Sequence, residues 1–211
     1  MIVAVDGPTA SGKGTIAKAL AAHFALPHLD TGLLYRAVGR QVALAGGDPD
    51  CEADALAACA FPDALLRDPE LRSEASGGLA SRVSVHPTVR AALFERQRAF
   101  ATQPGGAVLD GRDIGTVIAP EAEVKLFVTA STRARAERRF AEMRAAARDV
   151  TLEDILAQLE ARDARDRDRS AAPLEVADDA NVLDTTALGR EEAIAAAIAV
   201  AEEVRARLAD G

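Results

Sequence analysis

A three-layer α/β sandwich, a central parallel sheet covered by helices on both faces, is the fold class that this 211-residue sequence predicts. Three observations carry it. Short apolar, β-branched runs alternate with helical patterns, the signature of parallel strands joined by crossover helices. The first such run passes through a glycine-rich stretch, GPTASGKGT at 7–15, straight into a helical pattern. With 49% hydrophobic residues, the chain can bury one sizeable core and a second small lobe.

Ile2 to Val5 is apolar and β-branched and ends in Asp6-Gly7, so it reads as a buried strand running into a turn. The Ala/Leu-rich pattern from Lys13 to about Phe24 reads as a helix. Asp30-Thr31-Gly32 starts another helix on a hydroxyl and places Tyr35-Arg36 one turn on. Residues 45–80, rich in Asp, Pro and Gly with no strong strand signal, form a small excursion from the core. Helical patterns follow at Thr88 to Phe100, Thr132 to Ala147, Leu152 to Arg162 and Glu191 to Leu208. Between them Ala107 to Leu109, Val124 to Val128 and Asn181 to Leu183 read as strands, each ending at polar residues. In such a sheet, ligands sit at the carboxyl ends of the strands. The sequence shows no internal repeat and no low-complexity tail.

Composition narrows the function. The formal net charge is −8, from 25 Lys and Arg against 33 Asp and Glu, which argues against an electrostatic grip on nucleic acid polymers or an anionic membrane. Any anionic ligand has to be met locally. Cys51 and Cys59 form no paired framework and read as reduced side chains. The stretch MIVAVDG has no basic leader, and no run approaches the roughly 18 apolar residues of a membrane span. A cytoplasmic monomer is expected. Lysine occurs only at 13, 18 and 125, so one at the place where a compact charge suits a phosphate is informative.

GPTASGKGT nearly spells the phosphate-binding loop G-x-x-x-x-G-K-[ST], in which the last hydroxyl meets magnesium. Gly14 stands in that place, and Thr15 brings the hydroxyl one step later. Strand, glycine loop and helix are the context the motif requires. Backbone N–H groups from Gly7 to Gly14 then wrap a phosphate at the helix start, and Lys13 reaches the β- and γ-phosphates. Thr15 and Asp110 are the candidate magnesium contacts, direct or through water; the alternative for Asp110 is a helix cap or turn. Four further clusters gather arginines and acids: Asp30 to Arg36, Ser81 with Arg90, Asp110-Gly111-Arg112-Asp113, and the alternating run from Arg162 to Arg169. Singly, each has a structural explanation as a cap, a surface pair or a solvated stretch. Beside a phosphate loop, they describe arginines converging on phosphates, as phosphoryl transfer requires.

The sequence resembles the bacterial cytidylate kinases, a family of nucleoside monophosphate (NMP) kinases, over nearly its whole length. The resemblance rests on GPTASGKGT at 7–15, LDTGLLYR at 29–36, DGRDIGTVIAP at 110–120 and RDARDRDRSAAPL at 162–174. It implies a P-loop three-layer sandwich with a small NMP-binding excursion and a helical lid. The core would span 1–36 and 82–211, with the lid at about 150–172 and the NMP-binding lobe at 37–81. It implies transfer of the ATP γ-phosphoryl group to CMP or dCMP with Mg2+. Gly7, Pro8, Thr9, Ala10, Ser11, Gly12, Lys13, Gly14 and Thr15 would hold ATP. Thr31, where the family often has serine, and Arg36 would meet the CMP phosphate, with Arg112 nearby. Ser81, Arg90 and Asp113 would line the cytosine pocket. Arg162 and Asp166 would reach the ribose and Arg169 the transferred phosphoryl, so Lys13, Arg112, Arg162 and Arg169 are the expected catalytic set. The family also carries glycine at the position of Gly14. The chain departs in one respect: residues 45–71 are too short and helix-like for the strand-bearing insert of many members. A GTPase-type switch is disfavoured because no N-K-x-D segment is present.

Overall fold

The computed structural model describes residues 1–145 and 149–209. In chain order the elements are β1 (Ile2–Asp6), α1 (Lys13–Phe24), β2 (His28–Asp30), α2 (Thr31–Leu44), α3 (Glu52–Ala57), α4 (Glu74–Val83), α5 (Pro87–Ala101), β3 (Ala107–Gly111), β4 (Val124–Thr129), α6 (Thr132–Ala145), α7 (Leu152–Asp168), β5 (Asn181–Asp184) and α8 (Arg190–Ala209). Short 3₁₀ turns link α3 to α4, and a π-helical turn covers Ile114–Ile118. The last two positions of the helix expected at 132–147 lie outside the described residues.

The sheet is parallel throughout, in the order β2-β3-β1-β4-β5. β1 is central because its side chains are apolar on both faces, and a strand with two covered faces needs no alternation. Val3 and Val5 pack with α1 and α8, while Ala4 faces the layer of β3, α5 and the π turn. α8 meets the core through Ala193, Ala197 and Ala201, small residues four apart that allow close approach to the sheet and α1. A second cluster joins α2, α3, α4 and α5 around Leu34, Val38, Phe61, Leu71 and Val83, forming a separate small core under the excursion. A third, built on Ala136, Ile155 and Leu159, holds α6 against α7 and touches Ala10 of the glycine loop.

The sequence reading did not give β2, α4 or the end of α7. β2 is a three-residue edge strand, HLD, held by its pairing with β3 and by Leu29 in the core beneath. α4 contains Gly77 and Gly78, which hide its helical character; its start is capped by Ser73 Oγ, which accepts from the Ser76 N–H at 3.1 Å. The alternating run after Arg162 continues α7 to Asp168 with Asp163 and Asp166 buried, so it is not a solvated stretch.

Parallel register sets the site. Asp6 of β1 pairs with Gly111 of β3, and Asp110 pairs with both Val5 and Asp30. Three strand ends therefore present Asp6, Asp30 and Asp110 on one rim of the sheet, where the chain order reverses around β1.

Candidate active site

The loop after β1 turns on positions that side chains disfavour. Gly7 has φ +151°, and a Cβ there would lie 2.0 Å from the Val128 carbonyl oxygen of β4. Gly12, with φ +92°, caps α1, and Ala10 holds a left-handed φ of 61°. Three long-range bonds brace the loop: Thr185 Oγ1 donates to Ser11 O at 3.1 Å, Arg135 Nη1 donates to Thr9 O at 3.1 Å, and Arg112 Nη2 donates to Thr9 Oγ1 at 2.5 Å. The Lys13 ammonium donates to Pro8 O at 3.3 Å. Burial, reinforced by Arg112, pulls its pKa down to about 7, against the attraction of Asp110 and Asp30. The first N–H groups of α1 have no intrahelical partner, so loop, helix end and lysine together form an anion-seeking concavity.

Opposite stand the carboxylates. Asp110 is buried and bonds through Oδ1 to His28 Nε2 at 2.7 Å. Burial first, and then Asp110, raises the pKa of the Asp30 carboxyl. Gly14 has no side chain between α1 and this pair; a Cβ there would lie 3.6 Å from Asp110 Oδ2. Two crowded carboxylates beside a phosphate loop suit a hard cation that takes the rest of its oxygens from phosphate and water. The Asp110 carboxylate, facing Gly14 of the loop, is of the donor type that a magnesium ion takes. Among the described residues, no cluster of three His, Cys, Asp or Glu forms a metal cage of its own.

The second half of the site is a crevice of about 50 Å³ lined by residues from α2, α4, α5, the β3 end and α7. Thr31, Ser81, Arg90, Arg112, Asp113, Arg162, Asp166 and Arg169 all border it. Thr31 Oγ1 donates to Asp110 O at 2.8 Å, an approach that requires glycine at 111, where a Cβ would sit 2.7 Å from that hydroxyl. Arg90 bonds Asp113 and packs over the Tyr35 ring, and Arg169 Nη2 reaches Asp113 Oδ1 at 3.5 Å. Arg112 Nε donates to Asp166 Oδ2 at 2.7 Å. Burial opposes ionisation of Asp166, but Arg112, Arg162 and Arg169 together outweigh it and hold the carboxyl below its usual range. Among the described residues, Arg162 Nε is buried without a partner, and burial with Arg112 lowers this guanidinium to about 9. Arg36 stands apart from this lining: its Nη1 donates to Leu71 O and Ser73 O, both at 2.9 Å. It still approaches Arg162 across Gly77, where a Cβ would be 3.2 Å from each guanidinium.

Helices α6 and α7 lie against both halves. Arg165 Nε of α7 donates to Ser81 Oγ at 3.0 Å, and Arg139 of α6 pairs with Glu74 of α4. A larger cavity of about 300 Å³ runs from Thr9 between α4, α6 and α7 to Arg162. Arg135, buried on α6, grips Asp163 of α7 with two bonds, Nη1 to Oδ1 at 3.2 Å and Nη2 to Oδ2 at 2.6 Å. Sequence reasoning missed Arg135, Asp163, Asp30 and His28 as site residues. Asp30 and Asp163 carried a signal, since both adjoin residues already singled out. Arg135 and His28 carried none.

A family model described as cytidylate kinase matches residues 3–203. A cytidylate kinase from Azorhizobium caulinodans is 57% identical over 208 residues, covering 97% of this chain and 100% of that protein. One from Xanthobacter autotrophicus is 56% identical over 207 residues, covering 98% and 99%. Another from a Caulobacter species is 52% identical, covering 98% and 96%. The crystal structure of an uncharacterized protein from Eubacterium ventriosum superposes with a TM-score of 0.54 at 14% identity over 97% of this chain and 98% of that one, a likeness of fold alone.

Proposed function

Because the chain belongs to the cytidylate kinase family and transfers the γ-phosphoryl group of ATP to CMP or dCMP, we propose that the loop from Gly7 to Thr15 holds ATP and the arginine crevice holds the acceptor. The observation that carries this division is the convergence of Arg112, Arg162 and Arg169 with Asp113 and Ser81 on one crevice beside the loop. Thr31 and Arg36, with Arg112, bind the acceptor phosphate. Ser81, Arg90 and Asp113 read the base, Arg162 and Asp166 hold the ribose, and Arg169 meets the phosphoryl in flight.

The acceptor is a phosphate oxygen already ionised near neutral pH, so the reaction needs no general base. What it needs is alignment and relief of charge. Lys13, Arg112, Arg162 and Arg169 supply that relief, and each is held in low-dielectric surroundings where a fixed charge acts strongly. Mg2+, held by Thr15 and Asp110 directly or through water, supplies further neutralisation when bound. The crevice of about 50 Å³ is smaller than the roughly 300 Å³ of an ordinary ligand site. CMP therefore enters by replacing the pairs of Asp113 with Arg90 and Arg169, as the lobe at 37–81 and the lid at 150–172 swing on the core of 1–36 and 82–211. No described helix is long and apolar enough to cross a membrane. The enzyme acts in the cytoplasm as a monomer on these small molecules.

The test is ADP release from ATP with each nucleoside monophosphate in turn, with Mg2+ present. CMP and dCMP are expected to drive release and the others to lag far behind; UMP or AMP turning over as fast as CMP would overturn the assignment of the crevice.

A further inference from the structure

Asp113 occupies the position where an aspartate ordinarily caps the turn that follows. It is the N-cap of the π turn Ile114–Ile118, with φ −145° and ψ 26°, yet its side chain makes no capping bond. An N-cap aspartate usually turns its carboxylate back onto the first free N–H groups. Here another residue takes that place. Asp6, at the end of β1, accepts from the Ile114 N–H through Oδ1 at 2.9 Å and from the Gly115 N–H through Oδ2 at 2.8 Å. Asp6 is 6% exposed, and Gly115 packs closely beside it: a Cβ there would lie 3.5 Å from Asp6 Oδ2 and 3.2 Å from Lys125 Cδ.

We infer that Asp6 is a positioning residue for acceptor recognition: by capping the turn from the neighbouring strand, it leaves the Asp113 carboxylate free to face the base crevice. The inference rests on the reading that Asp113 meets the base. A carboxylate is the side chain that fits, because it offers an acceptor to each of two adjacent backbone donors. Burial pushes Asp6 up to about 6; the Gly115 and Ile114 N–H groups and Arg112 oppose that push, and Asp113 adds to it. The cap is thus held against the cost of burying a charge, as expected where position has a function. Asp6 also precedes Gly7 directly, so one residue fixes the acceptor-reading turn to the strand that carries the donor loop.

Asp6→Asn keeps the shape but turns an amide N–H against one of the two backbone donors. The vacated donor then becomes available to Asp113, which can fold back as a cap. The test measures dissociation constants for CMP and for ATP calorimetrically in the parent, Asp6→Asn, Asp113→Asn and the double variant, with thermal unfolding recorded for each. CMP affinity should fall about tenfold in Asp6→Asn, the scale of one lost hydrogen bond to a charged group, while ATP affinity changes less than about twofold. The double variant should bind CMP no worse than Asp113→Asn alone, because two changes acting through one contact do not add. Equal weakening of CMP and ATP, unaltered CMP binding, or penalties that multiply in the double variant would each overturn the inference. If Asp113→Asn binds CMP as the parent does, the base-reading assignment fails and the inference with it; if Asp113→Asn is weakened and Asp6→Asn is not, the inference fails alone. Should Asp6→Asn not fold, Asp6→Ser, which keeps one acceptor oxygen, stands in its place under the same criteria.

Discussion

If the loop holds ATP as proposed, burial at Lys13 should make that binding a proton-uptake event. The empty loop holds this lysine at about 7 instead of 10.5, because it is withdrawn from water and faces Arg112 and Arg162. That displacement corresponds to a cost on the order of 5 kcal/mol for keeping the ammonium charged, offset when phosphate oxygens arrive. The sign follows from the direction. Between about pH 7 and 10.5, the unfolded chain binds a proton at this site that the folded empty protein does not, so the site's contribution to stability rises with pH through that window. Its full penalty applies below about pH 7. At pH 8 most molecules without nucleotide lack this proton, and the protonated share grows as the pH falls through about 7. Binding of ATP, whose phosphates are nearly fully ionised at pH 8, should therefore take up a proton there, and the uptake should shrink toward pH 6, where the lysine is already charged and the γ-phosphate gives up a proton of its own. Isothermal titration calorimetry in two buffers of different ionisation enthalpy reads this uptake directly. Lys13→Met should abolish the uptake, raise the melting temperature at pH 6, and lower kcat by about 10² to 10³, as loss of one preorganised donor does. No uptake at pH 8, or the same uptake in Lys13→Met, would refute the reasoning.

Three other changes probe the remaining parts. Cytosine presents an amino donor where uracil presents a carbonyl, so Asp113→Asn should lower CMP turnover and narrow the CMP to UMP ratio in kcat/KM by at least about tenfold; loss on both nucleotides alike would leave the residue only a partner for Arg90 and Arg169. Arg169→Ala should depress kcat strongly, and limited proteolysis across 150–172 should slow only when both nucleotides are bound; cutting unchanged by ligands counts against a lid. Asp163→Ala strands the Arg135 guanidinium, itself 3% exposed, and should cost about 3–5 kcal/mol in urea unfolding; a shift under about 1 kcal/mol would mean that the pair contributes little.

What could be read from the sequence was what repeats locally. The strands β1, β3 and β4 are short and mainly apolar, and the glycine loop sits between a strand and a helix, so the fold class followed from pattern. The crevice was legible because its residues fall in short dense motifs: all the expected CMP contacts except Arg36 border it. Arg36 donates to two carbonyls at the approach to α4, a contact invisible until α4 itself is known. β2 and α4 were hidden for opposite reasons. β2 has almost no hydrophobic signal because an edge of three residues is specified by its neighbour, and α4 carries two glycines that propensity counts against. Asp6 was visible only as the end of a strand. Its role depends on a partner 108 residues away, and spacing along a chain does not report such pairs.

The small, self-paired crevice also sets a threshold for what can occupy it. With Asp113 held by Arg90 and Arg169, and Asp166 by Arg112, every newcomer begins at a deficit equal to the pairs it breaks. A lone inorganic phosphate can satisfy one or two guanidinium groups and leaves Asp113 stranded among unmet charges. A nucleotide that presents phosphate, ribose and base at once repays all of them together. If the crevice is the acceptor site proposed above, it should bind phosphate or a nucleoside alone far more weakly than the whole acceptor, because only the whole acceptor replaces all the broken pairs.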